Sequence, residues 1–95
     1  MTGYVYILTS RKNGPLYIGV TSNLIQRIYQ HKNNTFDGFT KRYNIKKLVY
    51  FDQTEEIKEA IAFEKKLKGW KREKKIELIE KTNPDWYDLY DQITK

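Results

Sequence analysis

The chain has 95 residues, 39% of them hydrophobic and 15% aromatic, and it carries 18 Lys and Arg against 12 Asp and Glu. This length allows one small domain with a single core, and the apolar content excludes a disordered chain. The net charge of +6 favours polyanionic partners such as nucleic acid or an acidic membrane surface. Because the chain has no cysteine, disulfide frameworks and thiolate zinc sites are excluded, and we expect a cytoplasmic location.

The first third of the chain predicts two strands and a helix. Residues 4–9 and 16–21 are rich in β-branched and aromatic side chains, the composition of strands. The Asn13-Gly14-Pro15 link between them predicts an antiparallel hairpin. The Thr21-Ser22-Asn23 sequence supplies N-cap candidates for a helix that ends near Asn33.

The rest of the chain predicts one strand and two helices. Residues 34–44 are predicted to form a loop, and residues 47–52 a third strand. A second helix follows the cap candidates at 52–54, and Gly69 is expected to end it in a left-handed cap. A third helix over 71–81 should stop before the proline that follows it.

These elements predict an α+β fold in which helices flank a three-stranded antiparallel sheet, in the order β-β-α-β-α-α. The aromatic tail over 85–90 is expected to pack back on the body. Residues 1–95 show no repeat and no linker, so we expect a single domain. The Met1–Tyr4 start lacks a signal-peptide pattern, and no apolar run approaches the roughly 18 residues of a membrane span.

Glu64 is an acidic residue on a predicted apolar stripe. On the second helix it lies in line with Ile57, Ala60 and Ile61, which should face the core. Burying an unpaired carboxylate is costly, so Glu64 needs a cation, an arginine partner, a proton or a metal. From the residues alone, a snorkelling or salt-bridged glutamate at the edge of the core is the simpler interpretation.

Arg27 and His31 form a polar pair on the first helix. They are spaced i, i+4 and therefore share a face beside the apolar stripe of Leu24 and Ile28. Arg27 offers a fork of donors suited to phosphate, and His31 is the only histidine of the chain. By itself a single helical histidine is more often a surface or packing residue than a catalyst, and an i, i+4 Arg/His pair is similarly unspecific.

The two predicted strands place several tyrosines on one face of each strand. Alternation puts Tyr4 with Tyr6, and Tyr17 with Gly19. Because glycine weakens a strand, Gly19 suggests that something approaches the backbone there. The alternative is that these tyrosines are ordinary strand residues and that Gly19 is a bend in the strand without a functional role.

Together these residues resemble the GIY-YIG nuclease family. Tyr4-Val5-Tyr6 stands where the family has Gly-Ile-Tyr, with Tyr4 as the visible departure, and Tyr17-Ile18-Gly19 matches the second triplet. The resemblance extends to about Trp86. The later polar positions of the family are matched by Arg27, His31, Glu64 and Asn83.

The resemblance implies metal-dependent hydrolysis of DNA phosphodiester bonds, leaving a 5′-phosphate and a 3′-hydroxyl. Glu64 would hold one Mg²⁺ or Mn²⁺, and Arg27 would neutralise the phosphate. Tyr17 is the candidate general base, with Tyr6 and His31 orienting the water or relaying the proton. Whether Tyr17 or His31 takes the proton stays open. The matched asparagine would fix local geometry or contact the DNA backbone or a phosphate.

A basic run starts directly after Glu64 and is a candidate phosphate-binding surface. It would give salt-dependent and largely sequence-independent affinity for DNA. Interleaved Glu73 and Glu77 keep a solvated charged face as the alternative. Lys41-Arg42 and Lys46-Lys47 are further candidates. The run consists of Lys65, Lys66, Lys68, Lys71, Arg72, Lys74 and Lys75.

The sequence therefore predicts a monomeric DNA endonuclease with little sequence specificity, for which branched, flapped or damaged DNA are candidate substrates. DNA repair, recombination and mobile-element roles all suit this chemistry. Two alternatives stay open. One is a non-catalytic nucleic-acid-binding module, and the other is a catalytic subunit whose protein partner supplies targeting, through the tail around Trp86, Tyr87 and Tyr90.

Overall fold

Three antiparallel strands form the centre of the fold, as the sequence predicts. The computed structural model describes residues 1–33 and 38–95. β1 (Gly3–Thr9) lies in the middle, with β2 (Leu16–Thr21) on one side and β3 (Lys47–Thr54) on the other. The register places Tyr6 of β1 opposite Gly19 of β2, and this pair positions the candidate site.

Five helices are present in the described part of the chain, and three of them match the sequence prediction. α1 begins after Asn23, whose side chain accepts a hydrogen bond from the Gln26 N–H at 3.2 Å, as expected for an N-cap. Two short helices were not predicted. The five are α1 (Leu24–Lys32), α2 (Gly38–Arg42), α3 (Ile57–Lys68), α4 (Arg72–Thr82) and α5 (Tyr90–Ile93).

The helices cover the two faces of the sheet separately. On what we call the α3 face, Val5, Ile7 and Ile18 of the sheet pack against α3 and α4. On the α1 face, the sheet residues that include Tyr6 and Leu8 pack against α1, with α5 at the margin of the same cluster. The alternation of side chains along β1 produces this division, because successive residues point to opposite faces.

The aromatic tail packs on the body, as predicted. Trp86 is fully buried, and its indole Nε1–H donates to a Glu80 carboxylate oxygen at 2.7 Å. The Leu89 N–H donates to the Leu48 carbonyl at 2.7 Å, and the Leu48 N–H donates to Asp88 at 3.2 Å. The tail therefore satisfies backbone groups on the outer edge of β3 that would otherwise be open to another strand.

The region predicted as a loop, residues 34–44, contains α2. Residues 34–37 lie outside the described residues, but Gly38–Arg42 is helical. The Tyr43 N–H donates to the Phe39 carbonyl and the Ile45 N–H to the Thr40 carbonyl. The buried side chain of Ile45 anchors the end of this turn in the core. Polar composition concealed the helix because only one of its side chains, Thr40, is buried.

The start of α3 also differs from the prediction. The sequence predicts cap residues at 52–54, but β3 continues to Thr54 because β1 begins at Gly3 and pairs with it. The N-cap is Glu56, which forms a reciprocal capping box with Glu59.

The prediction of a left-handed cap at Gly69 was wrong. Gly69 has φ −83° and ψ −11°, so it continues the right-handed turn into the short link before α4. The sequence also predicts that Ile61 faces the core, but its side chain is 39% exposed. The buried positions of α3 are Ala60 and Leu67, and Ile61 is rotated by one residue away from Ala60.

Among the described residues, no helix combines the length and apolar character that a membrane crossing requires.

Candidate active site

The Tyr6 ring lies directly against Gly19. A Cβ atom built on Gly19 would be 2.4 Å from both Cζ and the hydroxyl oxygen of Tyr6. No real side chain tolerates that distance, so glycine is required for the ring to occupy its position. The sequence suggests that something approaches the backbone at Gly19, and that group is the Tyr6 ring. The glycine is therefore needed for packing at this position.

Tyr6 and His31 form a buried hydrogen-bonded pair. The Tyr6 hydroxyl and His31 Nε2 are 3.1 Å apart, and both side chains are removed from solvent. Tyr17 completes a cluster of three rings. Its ring centroid lies 5.4 Å from that of His31 and 6.4 Å from that of Tyr6. Because Tyr17 is only half-buried, it connects this interior cluster with solvent.

Thr40 is a member of the site that the sequence analysis missed. Its Oγ1 lies 3.2 Å from His31 Nδ1, and its side chain is buried. A hydroxyl can donate or accept, so Thr40 and Tyr6 can each pair with either tautomer of the imidazole. The result is a buried chain of polar groups in the order Thr40, His31, Tyr6. The sequence carried no signal for it, because Thr40 lies on a helix too short to show a period.

Arg27 lies one turn before His31 on the same face of α1, as the spacing predicts. Leu24 and Ile28 are buried beneath the helix and fix its orientation on the sheet. Arg27 is half-buried, so part of its side chain is accessible to solvent.

Glu64 lies on α3, in the layer that covers the face of the sheet opposite to α1. It lies between Ala60 and Leu67 on the buried stripe of α3, and its side chain is 14% exposed. Its carboxylate forms an ion pair with Lys68 at 2.9 Å, one turn along the helix. Glu64 therefore lies on the apolar stripe of α3, as predicted, and its carboxylate is salt-bridged there.

The residues present are compatible with a hard divalent ion at Glu64. Within residues 1–33 and 38–95, no group of three His, Cys, Asp or Glu side chains is arranged to hold a metal. Mg²⁺ often binds through one carboxylate, with waters and substrate phosphate completing its shell. The Lys68 side chain is mostly exposed, and ion pairs of this kind contribute only about 0.3–0.5 kcal/mol, so an ion could displace it.

The structure does not bring Asn83 into the ring cluster. Its side-chain amide donates to the carbonyls of Val49 at 3.1 Å and Tyr87 at 2.9 Å, and its Oδ1 accepts from the Tyr87 N–H at 3.0 Å. Val49 belongs to β3, on the far side of the sheet from β2 and Tyr17. These contacts make Asn83 one of the residues that fasten the tail to the sheet.

Several members of the basic run have partners within the protein. Arg72 Nη2 donates to the carbonyls of Asn13 and Gly14, at 2.8 and 2.6 Å, and so fastens the β1–β2 turn to the start of α4. Lys74 lies over the Trp70 ring, with its Nζ 4.5 Å from the centroid. With the ion pair of Lys68 included, three of the seven predicted phosphate contacts are engaged. The others are Lys65, Lys66, Lys71 and the half-buried Lys75.

Comparisons with known proteins identify the same family that the sequence resembles. A GIY-YIG catalytic domain model matches residues 2–77. A UPF0213 protein of Clostridium perfringens is 41% identical over 76 residues, covering 80% of this chain and 81% of that protein. A UPF0213 protein of Staphylococcus saprophyticus is 34% identical over 76 residues, covering 80% and 92%. The solution NMR structure of a UPF0213 protein from Bacillus halodurans shares a TM-score of 0.58 at 28% identity, over 93% of each chain.

Proposed function

This chain belongs to the GIY-YIG nuclease family, and on that premise we propose that it is a metal-dependent DNA endonuclease. The observation that carries the proposal is the buried chain of Thr40, His31 and Tyr6, which ends beside the half-exposed Tyr17. Burying three polar side chains adds little net stability, because each bond made in the interior replaces one made to water. A fully satisfied buried network is rigid, so it holds its hydroxyl and imidazole groups in a fixed arrangement suited to proton transfer.

In this mechanism Tyr17 faces the solvent and takes a proton from the attacking water, while His31 and Tyr6 orient it or accept the proton in turn. His31 is suited to that role because Thr40 on one ring nitrogen and Tyr6 on the other fix its ring orientation. An alternative assignment makes His31 the general base and Tyr17 the orienting group.

Arg27 would neutralise the phosphate on which negative charge develops, since a guanidinium can donate two hydrogen bonds to one phosphate. Glu64 would hold Mg²⁺ or Mn²⁺ after releasing Lys68. When bound, the ion supplies Lewis-acid stabilisation of the phosphate and of the leaving 3′ oxygen. Asn83 would contribute by fixing the tail on the sheet rather than by taking part in proton transfer.

The proposed products are a 5′-phosphate and a 3′-hydroxyl, and the proposed specificity is for DNA form more than for sequence. Phosphate contacts from Lys65, Lys66 and Lys71 would give salt-dependent binding that carries little sequence information. A monomer with one site cuts one strand at a time, so we expect nicks before double-strand breaks.

The test is cleavage of plasmid, single-stranded and branched DNA with Mg²⁺ or Mn²⁺, comparing wild type with Glu64→Gln. The substitution keeps the shape of the side chain but removes the charge that would hold the ion. Loss of an outer-shell partner of a metal typically costs about 10–100-fold, so for the ligand itself we expect cleavage to fall by about 100-fold. Glu73→Gln, which changes an exposed glutamate on α4, is the matched control and should retain activity. Resealing of the nicks by a DNA ligase would identify 5′-phosphate and 3′-hydroxyl ends.

Equal cleavage by wild type and Glu64→Gln would exclude Glu64 as the metal ligand. DNA binding without cleavage of any DNA form, with either metal, would instead support a non-catalytic nucleic-acid-binding module. Cleavage that appears only after a copurifying protein is added would support a partner-dependent subunit.

A further inference from the structure

The short helix α2 presents an exposed aromatic and basic surface, which we call the α2 platform and define as Phe39, Lys41, Arg42 and Tyr43. Phe39 is 46% exposed and Tyr43 is 49% exposed, although their rings contact each other with centroids 5.0 Å apart. The Arg42 guanidinium lies 5.6 Å from the Tyr43 ring centroid. Two large rings and a guanidinium therefore lie together at the surface, outside both hydrophobic clusters of the described structure.

The charge of this segment is entirely positive. From Gly38 to Phe51 the sequence contains Lys41, Arg42, Lys46 and Lys47 and no acidic residue. The basic run on α3 and α4 differs, because acidic residues interleave with its lysines. Lys68 there forms an ion pair, and Arg72 donates to backbone carbonyls. The α2 platform thus combines two cationic side chains with exposed π surfaces.

That combination fits a strand of nucleic acid whose bases are unpaired. Basic side chains contact the phosphates, and aromatic rings and guanidinium planes stack on bases. In a duplex the bases already stack on one another and their faces are covered, so an external ring has nothing to stack on. An occupant that uses both parts of the platform must therefore expose single-stranded nucleotides.

The platform is also joined to the candidate site. Thr40 lies between Phe39 and Lys41 in α2, but its side chain turns inward to contact His31. Phe39 is therefore adjacent in sequence to Thr40, whose side chain contacts the candidate catalytic residue His31. A base stacked on Phe39 would bind on the same short helix that contacts the candidate site. The geometry points to the α2 platform as a binding site for unpaired nucleotides that flank the scissile phosphate. This inference rests on the proposed nuclease function and narrows its substrate class to DNA with a single-stranded segment, such as a flap, fork or gap.

The test is binding of a fluorescently labelled oligonucleotide, as a single strand and as a blunt duplex of the same length, in EDTA so that no cleavage occurs. We expect Phe39→Ala to weaken single-strand binding about tenfold, in keeping with the loss of one base-stacking ring, and to leave duplex binding nearly unchanged. Phe39→Leu keeps an apolar side chain without a π face and should show a similar loss. Tyr87→Ala, which removes a 66% exposed ring from the tail, is the control and should bind as wild type does.

A second readout isolates stacking from charge. With 2-aminopurine in the oligonucleotide, wild type should quench the base fluorescence on binding, and Phe39→Ala should quench it less. Lys41→Ala should instead reduce the salt dependence of binding by about one phosphate contact for both DNA forms. Equal losses on single strand and duplex in Phe39→Ala, or wild-type affinity for both, would overturn the inference.

The two proposals fail in different ways. If wild type cleaves DNA with Mg²⁺ and Phe39→Ala binds single strands normally, the platform is wrong and the nuclease stands. If Phe39-dependent binding of single strands is present but no DNA form is cleaved, the nuclease proposal is overturned and the platform remains as a binding site. If wild type binds no DNA, both are overturned. Thermal unfolding followed by circular dichroism confirms that each variant is folded.

Discussion

On one face of the sheet, α3 and α4 cover the aliphatic side chains of Val5, Ile7 and Ile18, whereas on the other face α1 covers Tyr6 together with the buried His31. Both faces are buried at their centres, but one buries mainly aliphatic side chains and the other also buries polar groups. Aliphatic burial contributes free energy directly, at about 25 cal/mol per Å² of apolar area. Buried polar groups contribute little when they are satisfied and cost free energy when a partner is lost.

This difference suggests a division of labour within 95 residues. We expect the α3 face to contribute most of the free energy of folding. The α1 face instead holds the polar side chains of Thr40, His31 and Tyr6 in a fixed arrangement, at little net gain in stability. Glu64 is the exception on the α3 face, because its carboxylate lies on the buried stripe. Substitutions on the two faces should therefore separate stability from activity.

The largest effect on stability is expected from Leu67→Ala, on the α3 face. Leu67 is fully buried, and removing its side chain leaves a cavity that should cost about 2–5 kcal/mol in the free energy of unfolding. Cleavage per folded molecule should change little. Ile61→Ala on the same helix removes a similar side chain from an exposed position and is the control, with an expected change below about 0.5 kcal/mol. Urea unfolding measures both, and equal losses would contradict the assignment of the core.

Gly19→Ala tests the close contact that positions Tyr6 on the α1 face. The new methyl group overlaps the tyrosine ring, so either the ring or the strand must move, at a cost of about 1–3 kcal/mol. Cleavage should fall by more than the loss of folded protein explains, because the displaced ring carries the hydroxyl that contacts His31. Gly38→Ala, where an added Cβ meets no atom within 4 Å, should change neither quantity. Full activity in Gly19→Ala would show that the position of Tyr6 is unimportant for the reaction.

Thr40→Val tests the buried polar chain itself. Valine keeps the shape of the side chain but removes the hydroxyl that contacts His31 Nδ1, and we expect a loss of about 1–2 kcal/mol. Cleavage should fall, and its pH profile should shift, because the histidine ring is no longer held from both sides. Thr40→Ser retains the hydroxyl and should restore both. An unchanged pH profile in Thr40→Val would limit Thr40 to packing.

The smallest effect is expected for Tyr50→Phe, on the α3 face, and only in alkali. Burial, and then the nearby Asp52 carboxylate, raise the pKa of Tyr50 from 10.0 to about 12. The unfolded chain therefore loses this proton first, and stability falls as the pH rises from about 10 to 12. Tyr50 lines a groove of about 620 Å³ together with Asp52 and Lys81, and contact with water there should reduce the contribution to about 1 kcal/mol.

In Tyr50→Phe, the free energy of unfolding should fall less between about pH 10 and 12 than it does in wild type. Near pH 7 the two proteins should have similar stability. Urea unfolding at pH 7, 10 and 11 measures the difference. Identical alkaline curves for the two proteins would mean that Tyr50 ionises with equal ease in the folded and unfolded states.

Residues 78–95, beyond the range matched by the family model, are part of the same structure. Asn83 holds the tail against Val49, and Lys32 at the end of α1 forms an ion pair with Asp88. The Lys32 ammonium also lies 5.1 Å from the Tyr90 ring centroid. The tail thus contacts the end of α1 directly after His31, and it hydrogen-bonds to the backbone of β3 at Leu48 and Val49.

The sequence by itself determined the strands, the hairpin, the three longer helices and the family. These features are local: strand composition, the Asn13-Gly14-Pro15 turn and the Asn23 cap all act within a few residues. Alternation was also sufficient to predict that Tyr6 shares a face with Tyr4, and helix spacing that Arg27 and His31 lie together.

Only the tertiary structure decided which side chains meet across elements. That Tyr6 packs on Gly19, that Thr40 contacts His31, and that Arg72 fastens the hairpin turn instead of remaining open to phosphate all depend on packing between distant segments. Asn83 is separated from its partner Val49 by 34 residues. The physical reason is that periodicity specifies which face of an element a side chain occupies, whereas its partners depend on how the elements pack against each other.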